Sequence, residues 1–238
     1  MRDNVKAFVT DVAELFEIRE PIYEFGSLQV SGQEGYADLR PLFPGKQYVG
    51  CDARSGIGVD RIEDLMGLSL GDETVGTVLI LDTLEHVENC HRAMDEVYRV
   101  LQPEGILAIS SVMLFPIHEY PSDYWRFTPE AFRLLLQRFP TALVSYEGEP
   151  EIPHTVIGLA SKSRLSEEPV AEYLRRRKQA EPTGGPRLFS LEGERTYWRE
   201  RAESLEKEVG AMRARLEKIQ ATPVHRFYAW LDRIGLTR

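Results

Sequence analysis

Apolar side chains at Val5, Phe8, Val9, Val12, Leu15 and Phe16 follow the i, i+3, i+4 spacing of an amphipathic helix over residues 3–18. The period then changes. Residues 21–25 (PIYEF) read as a strand that stops at Gly26, residues 36–42 suit a short helix, and KQYVGC at 46–51 reads as a second strand ending at Asp52. A short third strand is expected near 59–62. TVLIL at 77–81 is an uninterrupted β-branched and aliphatic run, the pattern of a strand buried on both faces. Helical period returns over 91–101 through Met94, Val97, Tyr98 and Leu101, with Pro103 expected to end it. Residues 106–112 form another buried strand.

Strands and helices alternating at this spacing specify a parallel sheet with helices on both faces. After a loop at 113–128, Pro129 opens a helix (PEAFRLLLQRF), and strand-like runs at 141–147 and 153–161 follow with no helix between them. The expected fold class is therefore α/β: a doubly wound, mostly parallel sheet that ends in an antiparallel hairpin. Residues 1–162 form this body. Residues 163–189 read as a polar linker with room for one helix, carrying RRRK at 175–178 and Pro-Thr-Gly-Gly-Pro at 182–186. Within 190–221, Trp198, Ala202, Leu205, Val209, Met212, Leu216 and Ile219 step by 4 and 3 in turn, the a/d seam of a coiled coil. A competing reading makes this one amphipathic helix packed on its own body. Pro223 breaks it, and 222–238 interleave Phe227, Tyr228, Trp230, Leu231 and Ile234 with Arg226, Arg233 and Arg238.

Composition narrows the class. A chain of 238 residues with 42% hydrophobic side chains holds one or two domains, and wholesale disorder is excluded. No apolar run approaches the ~20 residues that span a bilayer, and the first residues lack the apolar core of a signal peptide. Cys51 and Cys90 are the only cysteines, without a CxxC or a cysteine–histidine group at ligand spacing, so no disulfide framework and no metal are expected. A soluble, cytoplasmic protein is the expectation. Residues 1–161 hold 12 Lys+Arg against 26 Asp+Glu, net −14, while 162–238 hold 17 against 12, net +5. An acidic body repels phosphate backbones, so no nucleic-acid partner is expected.

Ligands of open parallel sheets bind beyond the carboxyl ends of the strands, where the winding reverses. Each such end here carries a candidate. The first delivers Glu24, Gly26 and Ser27, and Gly26 lets a ligand approach with no Cβ in the way. The second ends at Asp52, where a carboxylate accepts both hydroxyls of a ribose. Asp64 follows the third, and Asp82 ends the fourth ahead of Thr83, Leu84, Glu85 and His86. Singly, each has a plain alternative: a solvated strand-end acid, an ordinary turn, or, for Glu85 and His86, caps of the next helix. Their ordered succession is the signal. The first loop lacks G-x-G-x-x-G, which speaks against a dinucleotide oxidoreductase that rests a pyrophosphate on a helix N-terminus.

Three motifs carry a resemblance: LDTLEHV at 81–87, RVLQPEGILAIS at 99–110 and SDYWRFTPEAF at 122–132. Residues 21–135 resemble class I S-adenosylmethionine-dependent methyltransferases of the ubiquinone-biosynthesis and methyltransferase type 11 kind. The third motif is similar to a signature of relatives associated with polysaccharide biosynthesis. Three positions depart from the pattern: Leu28 and Val30 stand where the family's first loop has its later glycines, and Glu104 replaces one glycine of a Pro-Gly-Gly turn.

The resemblance implies a Rossmann-like seven-stranded sheet and S-adenosyl-L-methionine as cofactor. It implies that Glu24, Gly26 and Ser27 serve the methionine portion, Asp52 with Ala53 the ribose, Asp64 and the Leu65 amide the adenine edge, and the backbone at Leu81–Asp82 the ammonium. The acceptor is a small molecule or a saccharide, methylated at oxygen, for which His86 is the candidate base because histidines titrate near neutrality. The aromatic 113–128 loop forms the acceptor wall, with His118, Asp123, Tyr124 and Arg126 as contacts and Trp125 and Phe127 as anchors. The coiled coil joins copies of the chain or docks a partner, and the interleaved aromatic and arginine residues at the end suit either an anionic membrane surface or a helix that covers apolar surface. The alternative from another class is a non-catalytic scaffold of this fold, motivated by Leu28 and Val30.

Overall fold

A computed structural model describes residues 2–30, 34–118 and 122–177, with Lys207, Gly210 and Met212 beyond them. The chain divides into two units, Met1–Thr183 and Gly184–Arg238. In the second, the three described residues are helical; the rest of the expected seam and the aromatic terminal segment lie outside the described residues.

The first unit opens with α1 (Asp3–Leu15), which buries Val5, Phe8, Val9 and Val12. Then come β1 (Ile22–Phe25), β2 (Tyr48–Asp52), β3 (Arg61–Ile62), β4 (Val75–Leu81), α2 (Cys90–Val100), β5 (Leu101–Val112), α3 (Pro129–Leu135), β6 (Thr141–Glu149), β7 (Ile152–Ser161) and α4 (Glu167–Arg177). The sheet order is β3-β2-β1-β4-β5-β7-β6. Strands β1 to β5 pair in parallel, and β7 runs antiparallel to both β5 and β6. The expected seven strands and terminal hairpin are both present.

Every residue of β4 is buried, because helices cover both faces of the sheet. Val78 and Ile80 face a core shared with α2 and α3, while Leu79 and Leu81 face a second core shared with α1 and α4. Fully burying such a side chain stabilises the fold by about 1.5–3 kcal/mol, so β4 anchors both layers. The caps agree with the sequence. The Asn89 side chain accepts from the Arg92 amide at 3.0 Å to start α2, and Thr128 accepts from the Ala131 amide at 3.1 Å ahead of Pro129. Glu85 and His86 therefore do not cap α2.

Three boundaries differ from expectation. Residues 36–42 form only a 3₁₀ turn at Arg40–Leu42, because Pro41 supplies no donor and Asp38 Oδ1 takes the Arg40 amide at 3.1 Å. Helix α2 stops at Val100. Leu101 already pairs with Val75, and a register shift before Thr77 pairs with Ile106 accommodates the exposed Pro103 and Glu104 inside β5. The third strand is just two exposed residues beside Cys51 and Asp52. In the stretch expected as linker, α4 forms and docks on α1. Tyr173 is fully buried with edge contacts to Phe8 and Phe16 at 6.5 and 5.9 Å, and Arg177 pairs with Asp11 and, at 2.9 Å, with Glu147. Among the described residues, no helix is long and apolar enough to cross a membrane.

Candidate active site

β1 and β4 are neighbours in the sheet, yet the chain leaves β1 toward β2 and leaves β4 toward β5. Their carboxyl ends therefore border the crevice where winding reverses. Gly26 closes β1 with φ of +88°, and its amide donates to the Cys51 carbonyl at 2.8 Å. A Cβ on Gly26 would stand 2.0 Å from Thr83 Oγ1, so only glycine lets the two loops meet. The Ser27 amide (3.0 Å) and hydroxyl (3.2 Å) also donate to Cys51, which ties the β1 loop to β2. Leu28 turns outward onto the loop after β2. Its Cδ1 lies 2.3 Å from where a Cβ of Gly56 would sit, and Val30 is exposed.

Glu24, just before this turn, is buried and accepts from the Tyr48 hydroxyl at 2.6 Å. Burial pushes its pKa up to about 7 against the opposing pull of Tyr48 and the Arg40 charge. Arg40 lies over the Tyr48 ring at 5.4 Å and pairs with Asp60 at 2.8 Å and Asp38 at 3.3 Å; Asp60 also accepts the Gly50 amide at 2.8 Å. One cation thus clamps the loops that follow β1 and β2.

Asp52 and Asp64 both shape their own loops. Asp52 Oδ1 accepts the Arg54 amide at 2.9 Å, and its carboxylate lies 3.7 Å from the Arg54 guanidinium, with Ala53 exposed beside it. Asp64 Oδ1 accepts the Met66 amide at 2.8 Å, while the Leu65 side chain is buried in the core. Asp82 has a left-handed φ of +48°. Its carboxylate is held by Arg2 and by the Ser110 hydroxyl at 2.9 Å, and its amide donates to the Ser110 carbonyl at 3.0 Å. The Leu81 carbonyl accepts from Thr83 Oγ1 at 2.9 Å.

Beyond Thr83 the chain makes a 3₁₀ turn, Leu84–His86. Glu85 is fully buried: Oε2 accepts from the Ser111 hydroxyl at 2.6 Å, and Oε1 has no hydrogen-bond partner. Burial lifts its pKa to about 7. The His86 Nδ1 lies 2.7 Å from the Ser122 carbonyl. A carbonyl only accepts, so Nδ1 carries the proton and Nε2 keeps the lone pair.

The 113–128 loop lies against this turn. The amides of Tyr124 and Trp125 donate to the Glu85 carbonyl at 2.8 and 3.2 Å, and the Trp125 indole donates to the Val87 carbonyl at 2.9 Å. Arg126 forms a two-point pair with Asp123 at 2.6 and 2.8 Å and donates to the carbonyls of Phe115 and Pro116. That pair holds the Asp123 carboxyl well below its ordinary range. Asp123 also accepts the His118 amide at 2.8 Å. Asp123 and Arg126 therefore fasten the loop, Phe127 is buried under it, and Tyr124 and Trp125 are exposed.

Residues 44–109, from just ahead of β2 to late in β5, match the family model described as a methyltransferase domain. A SAM-dependent methyltransferase from Archaeoglobus fulgidus superposes with a TM-score of 0.51 at 14% identity, over 67% of this chain and 94% of that one. A protein from Pyrococcus horikoshii OT3 does so with 0.50 at 15%, over 67% and 90%. The fold is that of a Rossmann-like methyltransferase. No curated protein sequence matches the chain.

Within this methyltransferase fold, Gly26, Ser27, Asp52 and Asp82 stand at the carboxyl ends of the adjacent strands β1, β2 and β4, and His86, His118, Asp123, Tyr124 and Arg126 gather in the loops after β4 and β5. Four contributors have no signal in local sequence: Arg2, Tyr48, Thr83 and Ser110 act through partners 80, 24, 57 and 28 positions away.

Proposed function

We propose that the chain is an S-adenosylmethionine-dependent methyltransferase of the cytoplasm, acting at an oxygen of a small-molecule or saccharide acceptor. The observation that carries this reading is the backbone of Gly26 pressed to Thr83 at the reversal between β1 and β4, with the Asp52 carboxylate at the neighbouring strand end. A glycine turn beside an acidic strand end fits a cationic nucleoside better than a pyrophosphate. Gly26 and Ser27 line the methionine end, Glu24 braces that loop through Tyr48, Asp52 and Ala53 take the ribose diol, and Asp64 and Leu65 take the adenine edge. The backbone at Leu81–Asp82 receives the ammonium, since the Asp82 side chain is engaged by Arg2.

When bound, the cofactor supplies a methyl group already activated on a sulfonium. The protein's task is alignment and exclusion of water, a contribution of several kcal/mol that needs no nucleophile of its own. His86, held through Nδ1 by the Ser122 carbonyl on the acceptor loop, keeps a lone pair on Nε2 that takes the hydroxyl proton, worth ~10²–10⁴-fold. The aromatic wall with Tyr124 and Trp125 exposed suits stacking on a sugar face. The seam at 198–219 joins copies of the chain or docks a partner, and 222–238 touch an anionic membrane surface. Mass spectrometry of candidate saccharide and small phenolic acceptors incubated with the full chain and methyl-labelled cofactor tests the reading. A mass gain of one methyl on one class, lost in His86→Ala, supports it, and no transfer to any class despite cofactor binding contradicts it.

A further inference from the structure

Glu85, His86 and His118 each offer a ligand atom, and these atoms lie within 4.8 Å of one another. Their hydrogen-bond partners fix the tautomer of each ring. His86 Nδ1 points to the Ser122 carbonyl at 2.7 Å. His118 Nδ1 lies 3.2 Å from the Pro116 carbonyl and 3.3 Å from Asp123 Oδ2. All three of these partners accept, so both rings carry their proton on Nδ1 and hold a lone pair on Nε2. The rings meet edge to face at 4.6 Å. Glu85 adds a carboxylate oxygen that is buried and has no hydrogen-bond partner. A buried carboxylate oxygen without a partner is unfavourable, and a bound cation would satisfy it.

We infer that Glu85, His86 and His118 form a binding site for one divalent transition-metal ion. The donor set, two imidazoles and one carboxylate, is the one that selects zinc and its first-row neighbours over magnesium or calcium, which prefer all-oxygen shells. The second shell is already built. Each ring donates its other N–H to a carbonyl or carboxylate, the arrangement that fixes a metal-binding histidine's tautomer, and Arg126 in turn holds Asp123. Ligand atoms around a tetrahedral ion sit about 3.4 Å apart at bond lengths of ~2.1 Å, so small side-chain rotations close the observed spacing. Glu85 and His86 are on the turn after β4, and His118 is on the loop opposite, so the ion would staple the 113–118 segment to the strand edge.

Three protein ligands leave a position open, the mark of a site that takes an exogenous oxygen. The use of that position for an acceptor hydroxyl rests on the proposed methyl transfer; binding of the ion does not. With the ion bound, the lone pair of His86 Nε2 serves as a ligand in place of the base role proposed above, and the acceptor loses its proton to solvent.

The test uses the full chain freed of metal by chelation and titrated with Co²⁺, whose visible d–d absorption reports imidazole and carboxylate ligation. The expected result is bands that saturate at one ion per chain and bleach on addition of Zn²⁺. His86→Ala and His118→Ala, both at half-buried positions, each weaken Co²⁺ binding at least tenfold, and Asp123→Asn weakens it ~10–100-fold through the second shell. Absence of the bands, or bands of equal affinity in both histidine variants, overturns the inference. Calorimetry with S-adenosylmethionine on the same samples separates the two claims. Cofactor binding without the Co²⁺ bands removes only the metal site, and bands without cofactor binding remove only the methyltransferase reading.

Discussion

Arg2 grips Asp82 at two points, Nε to Oδ2 at 3.1 Å and Nη2 to Oδ1 at 2.7 Å, across 80 positions of sequence. The residue before α1 is thereby fixed to the end of the central strand, and Arg2 Nη1 also reaches Thr155 Oγ1 on β7 at 2.5 Å. Two-point guanidinium–carboxylate pairs are stronger than ordinary surface pairs, but both side chains keep about a quarter of their surface in water (27% and 21%). Arg2→Ala is expected to lower unfolding free energy by about 1 kcal/mol in urea titrations. The double-mutant cycle with Asp82→Ala should return a coupling of the same order; a coupling of zero would show that the pair holds nothing in place.

Gly26→Ala tests the close approach at the crevice. The substitution meets two obstacles: φ of +88°, unfavourable to any side chain, and a Cβ position 2.0 Å from Thr83 Oγ1. The conformational part alone costs roughly 1–2 kcal/mol. The expected outcome is a drop in cofactor affinity larger than the drop in stability, partly recovered by adding Thr83→Ala, which removes the two nearest contacts but leaves the residue 83 Cβ at 2.9 Å and the strain. Equal affinity in wild type and Gly26→Ala would mean that the loop does not meet the ligand.

How much of this was legible beforehand depended on the range of the interaction. Strand β4 declared itself because burial on both faces leaves an unbroken apolar run, and Pro129 with Thr128 declared the start of α3 because caps are local. The 36–42 segment misled because its apolar spacing is helical while a side-chain bond from Asp38 and the missing donor of Pro41 hold it to one 3₁₀ turn. The positions of Gly26 and Asp52 at the ends of β1 and β2 were readable from the strand pattern. The partners were not: Tyr48 completes Glu24, and Ser111 completes Glu85, through sheet neighbours whose pairing no local pattern announces. Arg126 was expected to touch the acceptor, and no local pattern announced that Asp123 and three backbone carbonyls engage its guanidinium.

The buried carboxyl of Glu85 should leave a trace in stability against pH. Its pKa is about 7 in the folded chain against an ordinary 4.5. Below pH 4.5 both folded and unfolded chains hold the proton. Between 4.5 and 7 the unfolded chain releases it first, so stability falls as pH rises, and above 7 the loss is complete. The ceiling is on the order of 3 kcal/mol at 1.36 kcal/mol per pH unit. Glu24 has the same raised value, so Glu85→Gln is expected to remove about half of the slope in this window, measured by denaturation of the metal-free chain. An unchanged slope would contradict the assignment of a buried, uncompensated carboxyl.

Tyr48→Phe removes the hydroxyl that Glu24 accepts at 2.6 Å while keeping the ring under Arg40. Because that hydrogen bond opposes desolvation, its loss is expected to raise the Glu24 pKa above about 7. Stability should fall by roughly 1–2 kcal/mol. Carboxyl ¹³C chemical shifts followed through a pH titration would report the displacement directly, and a lower pKa in the variant would refute it.

The central claim is that the crevice between β1 and β4 takes S-adenosylmethionine, with Asp52 on its ribose. Isothermal titration of the full chain with that compound measures it most directly. The account predicts one-site binding to wild type and an affinity at least tenfold weaker in Asp52→Ala, since hydrogen bonds to a charged group contribute about 1.5–3 kcal/mol. No heat at millimolar ligand, or an Asp52→Ala chain that binds as tightly as its parent, would contradict it.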